Sequence, residues 1–466
     1  MRASTRSATI REIVEPTRTE TDPSEGAPPV DAQARTLTVV HHPDPANVGA
    51  RALLPDAGEV LLGRGPTCAL ASALDHDRVS RAHAKLVCHG DGALTLVDLD
   101  SRNGTHLNGE RVARAPVALG DVIALGGRVS LLVHRTRSRF AAPRHAEMVG
   151  IGAGLAGVLE DVRRVAQRGT TVAIVGETGV GKELVARELH RASGRPGPFV
   201  AVNCGGVADA LLQSELFGHV RGAFTGADRA RPGLVDTARE GTLFLDEIAD
   251  ASPGLQASLL RLFETGEYRP VGSDRVAQAD VRVVVAAQPL IHERVATGAF
   301  RADLWNRLAR WVIAPPSLRE RPEDVALLAA RFASHHATRP VALTAKLVAA
   351  LTRFSWPGNV RELQAVMERA VVTAADARPD AEEVTLDLDR WLAERLDAHP
   401  PDATLASVPD APARRASLPR PTRPELEALL EAHGGSVRAV ARELDVARRT
   451  LYRWMDALGI DRDAYR

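Results

Sequence analysis

The sequence predicts a multidomain chain: a β-sandwich, then an α/β domain built round a phosphate-binding loop with an α-helical lid, then a small all-α helix-turn-helix. Three observations carry this expectation. Short apolar runs separated by turn residues fill residues 35–135, the pattern of a sandwich. A β-branched strand runs into a glycine loop and then into helix formers at residues 171–189. Residues 421–466 hold short helical patterns, the last two joined by a tight turn and the final one rich in arginine. A chain of 466 residues has room for about three domains.

Composition narrows the classes. Apolar residues make up 45% of the chain but aromatic ones only 4%, so Leu, Val and Ala must fill the cores. Lys plus Arg and Asp plus Glu both total 59. A nucleic-acid surface must therefore be local, because the chain carries no overall basic field. Cys68, Cys88 and Cys204 lie far apart without metal-ligand spacing and read as buried thiols in a reducing compartment. Neither a signal-peptide pattern nor an apolar run of bilayer-spanning length is present, so a cytoplasmic location with no membrane partner is expected.

Residues 1–34 mix Thr, Arg, Glu and Pro without periodicity and read as a flexible tail. The strands then begin: Leu37-Thr38-Val39-Val40, Val60-Leu61-Leu62, Ala84-Lys85-Leu86-Val87, Leu94-Thr95-Leu96-Val97 and Val122-Ile123-Ala124-Leu125. Polar residues collect at the turns, in Gly63-Arg64, in Val79-Ser80-Arg81-Ala82-His83, and from Ser101-Arg102-Asn103-Gly104-Thr105 to Asn108-Gly109. Sandwich loops cluster at one end, where arginine forks, a hydroxyl and an amide can converge on one anion. The two Asn-Gly pairs equally suit plain β-turns. In this order the three clusters resemble the forkhead-associated (FHA) domain, which implies binding of phosphothreonine peptides by residues 35–135. By position, Arg64 and Ser80 hold the phosphate, Arg81 and Arg102 flank it, Asn103 holds the peptide backbone, and His83 steadies the loop. Residues 136–146 read as a polar linker.

The second domain opens with Val172-Ala173-Ile174-Val175, which breaks at Gly176-Glu177-Thr178-Gly179-Val180-Gly181-Lys182 before helix formers resume. Backbone N–H groups turned inward and a helix N-terminus suit a polyphosphate, with Lys182 reaching the outer phosphates. A bare glycine turn between buried strand and helix is the alternative. Glu183 stands where Ser or Thr usually ligates Mg²⁺, so the metal must be held largely from elsewhere. Asn203 ends an apolar strand, where it is either a polar contact near the γ-phosphate or a strand cap. Glycines bracket Phe224 and Thr225 in Gly222-Ala223-Phe224-Thr225-Gly226-Ala227. That places an aromatic to meet a partner, or merely at a hairpin tip.

Asp246-Glu247 ends a buried strand further on. There Asp246 can hold Mg²⁺ through water and Glu247 can polarise an attacking water. Another strand ends at Gln288. Arg301 and Arg307 follow between apolar anchors, either offered to a neighbouring subunit's site or simply solvated. Residues 315–376 form the helical lid, with Trp356-Pro357-Gly358-Asn359-Val360-Arg361-Glu362-Leu363 inside it.

Residues 147–376 closely resemble the AAA+ ATPase domain of sigma-54-dependent transcription activators, with residues 147–314 as the α/β part. GETGVGKE, ELFGHVRGAFTGA, GTLFLDEI, FRADLWNRL and WPGNVREL all occur in that family's order. The resemblance implies that Lys182, Asp246 and Glu247 bind and hydrolyse ATP with Mg²⁺, and that Asn203 couples Glu247 to the Phe224–Thr225 loop that engages the sigma factor. It makes Arg301 and Arg307 fingers acting in trans, Arg361 the lid's sensor arginine, and Glu183 the family's usual residue after the lysine. The sensor position is commonly Thr-Asn; here it is Ala287-Gln288.

Residues 377–420, rich in Ala, Pro, Asp and Arg, read as a linker. Residues 425–432 read as a helix, Ser436 as the N-cap of a second, and Asp445-Val446 as the turn into a third. In that third helix Leu451, Met455 and Leu458 form one stripe, while Arg448, Arg449, Thr450 and Arg453 lie largely elsewhere. Arg449-Thr450-Leu451-Tyr452-Arg453 resembles the Fis-type helix-turn-helix of the same activators, which implies major-groove contacts by Arg448, Thr450 and Arg453. The resemblances together imply a hexameric ring of this chain, bound to upstream enhancer DNA, that remodels the sigma-54 RNA polymerase holoenzyme. Its input would be a phosphothreonine protein or its own phosphorylated tail.

Overall fold

The computed structural model describes residues 34–136, 148–225, 227–378 and 381–397, with Arg423, Leu426 and Val440. The chain divides into residues 1–405 and residues 406–466. In the second unit Arg423, Leu426 and Val440 are helical, and Leu426 and Val440 are buried. The expected DNA contacts Arg448, Arg449, Thr450, Tyr452 and Arg453 lie outside the described residues, as does Gly226.

The first unit opens with ten strands: β1 (Ala34–His41), β2 (Arg51–Leu53), β3 (Gly58–Leu62), β4 (Ala84–Cys88), β5 (Leu94–Asp98), β6 (Thr105–Leu107), β7 (Glu110–Val112), β8 (Arg114–Val117), β9 (Val122–Leu125) and β10 (Val129–Thr136). They form two antiparallel sheets, ordered β2-β1-β10-β9-β6-β7 and β3-β4-β5-β8, which make the predicted sandwich. Period-two alternation sends Leu37, Val39, Leu86, Leu96, Ile123, Leu125, Leu131 and Val133 into the shared core. Ala34 and Thr136, read from sequence as tail and linker, are strand residues because they pair with each other across β1 and β10.

The α/β part carries α1 (Ala153–Ala166), β11 (Val172–Val175), α2 (Lys182–Ser193), β12 (Phe199–Asn203), α3 (Asp209–Phe217), α4 (Leu234–Thr237), β13 (Thr242–Asp246), α5 (Pro253–Thr265), β14 (Glu267–Tyr268), β15 (Ala277–Gln278), β16 (Arg282–Ala287), α6 (Ile291–Thr297), α7 (Ala302–Leu308) and β17 (Trp311–Ile313). Its main sheet is parallel, ordered β12-β13-β16-β11-β17, with apolar clusters on both faces. Burial on both faces is why β11 and β16 read as unbroken apolar runs rather than alternating ones. The buried Arg282 guanidinium donates to the carbonyls of Val165 and Ala166, closing the C-terminal end of α1.

The lid comprises α8 (Pro322–His336), β18 (Val341–Leu343), α9 (Ala345–Arg353), α10 (Asn359–Ala377), β19 (Val384–Leu386) and α11 (Arg390–Asp397). It runs past the expected boundary at residue 376. β19 pairs in parallel with β18, and Leu386 and Leu392 are buried in the lid core. A three-residue strand inside an Ala-, Pro- and Asp-rich stretch is too short to show a period, so composition hid it.

The sandwich also docks on the lid, which nothing in the sequence announced. The outer face of its larger sheet presents Thr36, Thr38, Val40, Val122, Ser130, Leu132 and His134, all buried. Val40, Val122 and Leu132 join one apolar cluster with Val325, Ala329, Leu347 and Val348 of α8 and α9. The half-polar pattern of this face reads as a solvent side, and packing against helices overrode it.

Candidate functional site

Three loops leave the carboxyl ends of neighbouring parallel strands: the glycine loop after β11, Asp246-Glu247 at the end of β13, and Gln288 after β16. Open α/β sheets present ligand sites at this edge. In the glycine loop a Cβ on Gly179, whose φ is +79°, would lie 2.3 Å from the carbonyl oxygen of Gly358, so only glycine allows lid and loop to approach this closely. Gly176 N–H donates to Ala287 O at 3.1 Å, tying the loop to β16. Lys182 Nζ donates to the carbonyls of Gly176 (2.9 Å) and Glu177 (3.1 Å). Burial lowers its pKa while Asp246 and Glu247 pull it back up.

Glu177 belongs to the loop by sequence, but its carboxylate is turned to the lid. Arg319 grips it with two guanidinium hydrogen bonds, at 2.5 and 2.9 Å, and Asn359 Nδ2 adds a third at 3.1 Å. Those arginine bonds hold its carboxyl below the usual range. Asn359 also donates to Thr178 O (3.0 Å), and its Oδ1 accepts from Leu318 N–H, so one buried amide staples loop to lid. Glu183 is exposed and pairs with Arg187 one turn along α2, at 2.6 Å.

Asp246 Oδ1 accepts from Glu247 N–H at 2.9 Å, and burial raises its carboxyl pKa. Glu247 adopts a left-handed backbone at φ +53°, which costs a residue with a Cβ about 1–2 kcal/mol and aims its carboxylate off the strand axis. A Cβ on Gly205 would lie 2.5 Å from Glu247 Oε2 and 3.2 Å from Asn203 Oδ1, so both side chains converge above that glycine. Asn203 Oδ1 accepts from Gly205 N–H at 2.6 Å, and no hydrogen bond joins Asn203 to Glu247 among the described residues. The expected coupling is thus a shared location and not a direct bond. Gln288 is exposed at the strand end. Arg361 is exposed on α10, beside Thr178 and Gly358, in the wall of a cavity of about 580 Å³.

Sequence reasoning missed a second, smaller cavity of about 100 Å³ beside the loop. Met148, Val149 and Leu155 line it from before and within α1, Val180 and Leu184 from the loop and α2, and Leu328 and Phe332 from the lid. Apolar residues drawn from separate segments have no spacing to recognise. Arg321 and Arg331 add the charged part of its lining.

Arg301 and Arg307 do not face this cleft. Arg301 forms a fork with Asp303 and Arg307 pairs with Glu264 at 2.9 Å. Arg307 O accepts from Thr171 Oγ1 at 2.6 Å. That contact lies at the amino end of β11, whereas the glycine loop leaves its carboxyl end, about 13 Å away at roughly 3.3 Å per residue.

The Phe224 loop is closed by two backbone bonds, Ala227 N–H to Phe224 O (3.0 Å) and Gly222 N–H to Ala227 O (2.9 Å). Phe224 is 45% exposed, its ring edge-on to His219 at 5.1 Å, and Thr225 is exposed. The base is held by bonds from His219 N–H to Arg231 O and from Val220 N–H to Val271 O.

At the sandwich end the three predicted turns meet. Arg64 N–H donates to Ser80 O and its Nε to Val79 O (2.9 Å); Arg102 N–H reaches Ser80 Oγ (3.3 Å); Asn103 Nδ2 donates to Arg78 O (2.9 Å). His83 is fully buried, taking Ser80 N–H on Nδ1 and donating from Nε2 to Gly104 O. Burial lowers its pKa and keeps it in this neutral form. Arg64, Arg81 and Arg102 are exposed around Ser80. Asn108-Gly109 does not join them; it is the hairpin turn between β6 and β7, and Gly109 lies against Lys346 of α9.

Cys68, Cys88 and Cys204 are buried free thiols, and burial pushes Cys204 up to about 12. Among the described residues no helix is long and apolar enough to cross a membrane.

Four family models match in chain order. They are the FHA domain at residues 60–126, the sigma-54 interaction domain at 148–314, the AAA+ ATPase lid domain at 319–397, and the Fis family of bacterial regulatory proteins at 423–458. The nitric oxide reductase transcription regulator NorR1 of Cupriavidus necator is 40% identical over 333 residues, covering 67% of this chain and 64% of the relative. The anaerobic nitric oxide reductase transcription regulator NorR of Shigella flexneri is 39% identical over 326 residues, covering 69% and 64%. The chain thus spans just under two thirds of the length of these curated relatives. The crystal structure of NtrX from Brucella abortus is 30% identical with a TM-score of 0.48, covering 67% of this chain and 69% of that one. The chain belongs to the sigma-54-dependent transcriptional activators, with an FHA domain ahead of its AAA+ domain and a Fis-type helix-turn-helix behind it.

Proposed function

We propose that this chain binds upstream DNA and uses ATP hydrolysis to remodel the closed complex of the sigma-54 RNA polymerase holoenzyme, under the control of phosphothreonine recognition by its FHA domain. The observation that carries the reading is the combination of Lys182, Asp246 and Glu247 at one edge of the parallel sheet with a closed loop between α3 and α4 that offers Phe224 and Thr225 to solvent. ATP would place its base in the apolar cavity and its phosphates in the glycine loop, where Lys182 exchanges its carbonyl partners for phosphate oxygens.

A divalent cation fits this site. Asp246 is a partly buried carboxylate that burial disfavours as an anion, and a hard cation would relieve that cost. Asp246 would hold Mg²⁺ together with the nucleotide, and the ion would neutralise phosphate charge. Glu247 orients a water for attack on the γ-phosphorus and takes its proton as the bond to the β–γ bridging oxygen breaks, leaving ADP and phosphate. Arg301 and Arg307, remote from their own cleft, would enter the next protomer's site in a hexameric ring. Gln288 would sense the γ-phosphate on a longer arm than the family's usual asparagine. Residues 448–453 would anchor the ring to enhancer DNA.

Thr225→Ala tests the output. The side chain is exposed, so ATP turnover should stay within about twofold, while opening of a sigma-54 promoter in a reconstituted transcription assay should be lost. Normal promoter opening by this variant would sink the reading. Arg64→Ala tests the input. Removing a charge-assisted bond worth about 1.5–3 kcal/mol should weaken phosphothreonine-peptide binding by roughly 10- to 100-fold in calorimetry. Unchanged affinity would remove the sandwich from the signalling scheme.

A further inference from the structure

The docked sandwich reaches the edge of the nucleotide pocket. Arg51, on β2, donates from Nη2 to the carbonyl of Ile151 at 2.5 Å, linking residues a hundred apart in sequence. The same peptide segment is gripped from the lid: Asp324 Oδ1 accepts from Ile151 N–H at 2.5 Å and from Gly152 N–H at 2.8 Å. Ile151 is therefore held at its N–H by a carboxylate and at its C=O by a guanidinium, both in surroundings from which water is largely excluded. Two and three residues earlier, Val149 and Met148 line the small apolar cavity; just beyond, Leu155 lines it too.

The lid's grip continues into the phosphate loop. Arg321, 3.8 Å from Asp324, donates to Val180 O at 3.3 Å and also lines the cavity. Glu323 sits between the two domains, 4.0 Å from His134 of the sandwich. Burial and the neighbouring Asp324 push its carboxyl up to about 7, and burial together with Arg51 takes His134 down to about 4. His134 is in turn hydrogen-bonded to Thr38 at 2.8 Å.

We propose that Arg51 is a positioning residue of the nucleotide site: the FHA sandwich holds residues 148–152, one wall of the base pocket, from the side opposite Asp324, so that ATP affinity depends on the docked sandwich. This rests on the cavity being the site of the adenine base. Residues 148–152 lie in no strand and precede α1; Met148 and Ile151 are buried among apolar neighbours, and Arg51 and Asp324 hold the Ile151 peptide from opposite sides. Loss of the Arg51 bond removes the anchor on the Ile151 carbonyl and lets the segment that carries Met148 and Val149 shift, while the hydrogen bonds that Arg319, Arg321 and Asn359 make to the phosphate loop remain.

The test uses the full-length chain with Arg51→Gln and Arg51→Lys. The glutamine variant should raise the KM for ATP by about tenfold, the worth of one charge-assisted bond, with kcat at saturation within about twofold. Inhibition by inorganic tripolyphosphate, which has no base, should be unchanged, and so should phosphothreonine-peptide affinity. The lysine variant, which keeps a cationic donor, should recover most of the affinity, and it carries the test alone if the glutamine variant does not fold. An unchanged KM in Arg51→Gln, or equal losses for ATP and tripolyphosphate, would overturn the proposal. Leu328→Trp, which fills the cavity from the lid, separates the two claims. If it abolishes ATP binding but not tripolyphosphate binding, the base pocket stands and only Arg51 is in question; if ATP binding is unaffected, the pocket assignment itself has failed.

Discussion

Replacing Glu247 with glutamine is expected to slow ATP hydrolysis by about 10²- to 10⁴-fold, the range contributed by a positioned proton acceptor. Nucleotide affinity should be retained. Glu247 is the residue for which the backbone accepts a left-handed turn, and its carboxylate is carried away from the strand towards the space above Gly205. Among the described residues it makes no hydrogen bond to the glycine loop, so glutamine, with the same shape, removes the negative oxygen and little else. Binding of a fluorescent ATP analogue together with single-turnover hydrolysis separates the effects. A variant that hydrolyses ATP at the parental rate would remove Glu247 from the chemistry, and one that no longer binds would make it a structural residue. Aspartate should not rescue, because shortening the arm by one methylene withdraws the carboxylate from the same space.

Replacing Arg307 with alanine is expected to cost about 10³-fold or more in turnover, as removal of an arginine offered in trans does elsewhere; Arg301→Ala should act in the same direction. The backbone carbonyl of Arg307 is held by Thr171 at the amino end of β11, the end opposite its own glycine loop, and its guanidinium pairs with Glu264. Its ion pair with Glu264 is half-exposed, contributes little to stability, and is readily exchanged for a phosphate. The decisive measurement is mixing. Arg307→Ala and Glu247→Gln protomers are each inactive alone, but a mixed assembly contains sites that take Glu247 from one protomer and Arg307 from its neighbour. Turnover should reappear on mixing. Mixed assemblies that stay as inactive as the separate proteins would place the arginine's role within its own subunit.

Much of this site is legible without coordinates, and particular residues show why. Asp246 and Gln288 sit directly at the ends of apolar strands and Lys182 opens the helix after the glycine loop that leaves a third, and parallel strands align such ends at one edge. Arg64, Ser80 and Asn103 are turn residues whose strands pair in ways that bring the turns together. The direction of the Glu177 side chain is not legible, because its position in the glycine loop says nothing of its rotamer; Arg319, far along the chain, decides that. Met148, Val149, Leu328 and Phe332 were invisible as a site because each looks like any other core residue.

The strands, the glycine loop, the turn chemistry and the sequence of modules were determined by the sequence alone, since each depends on the period and the backbone freedom of a few consecutive residues. The apolar cavity beside the phosphate loop, the commitment of Glu177 to the lid and the seating of the sandwich on α8 and α9 were decided only by the tertiary structure. These depend on which faces remain after each domain has closed its own core. Val40, Val122 and Leu132 are left over on one module and Val325 and Leu347 on the other, and burying them against each other draws Arg51 to Ile151.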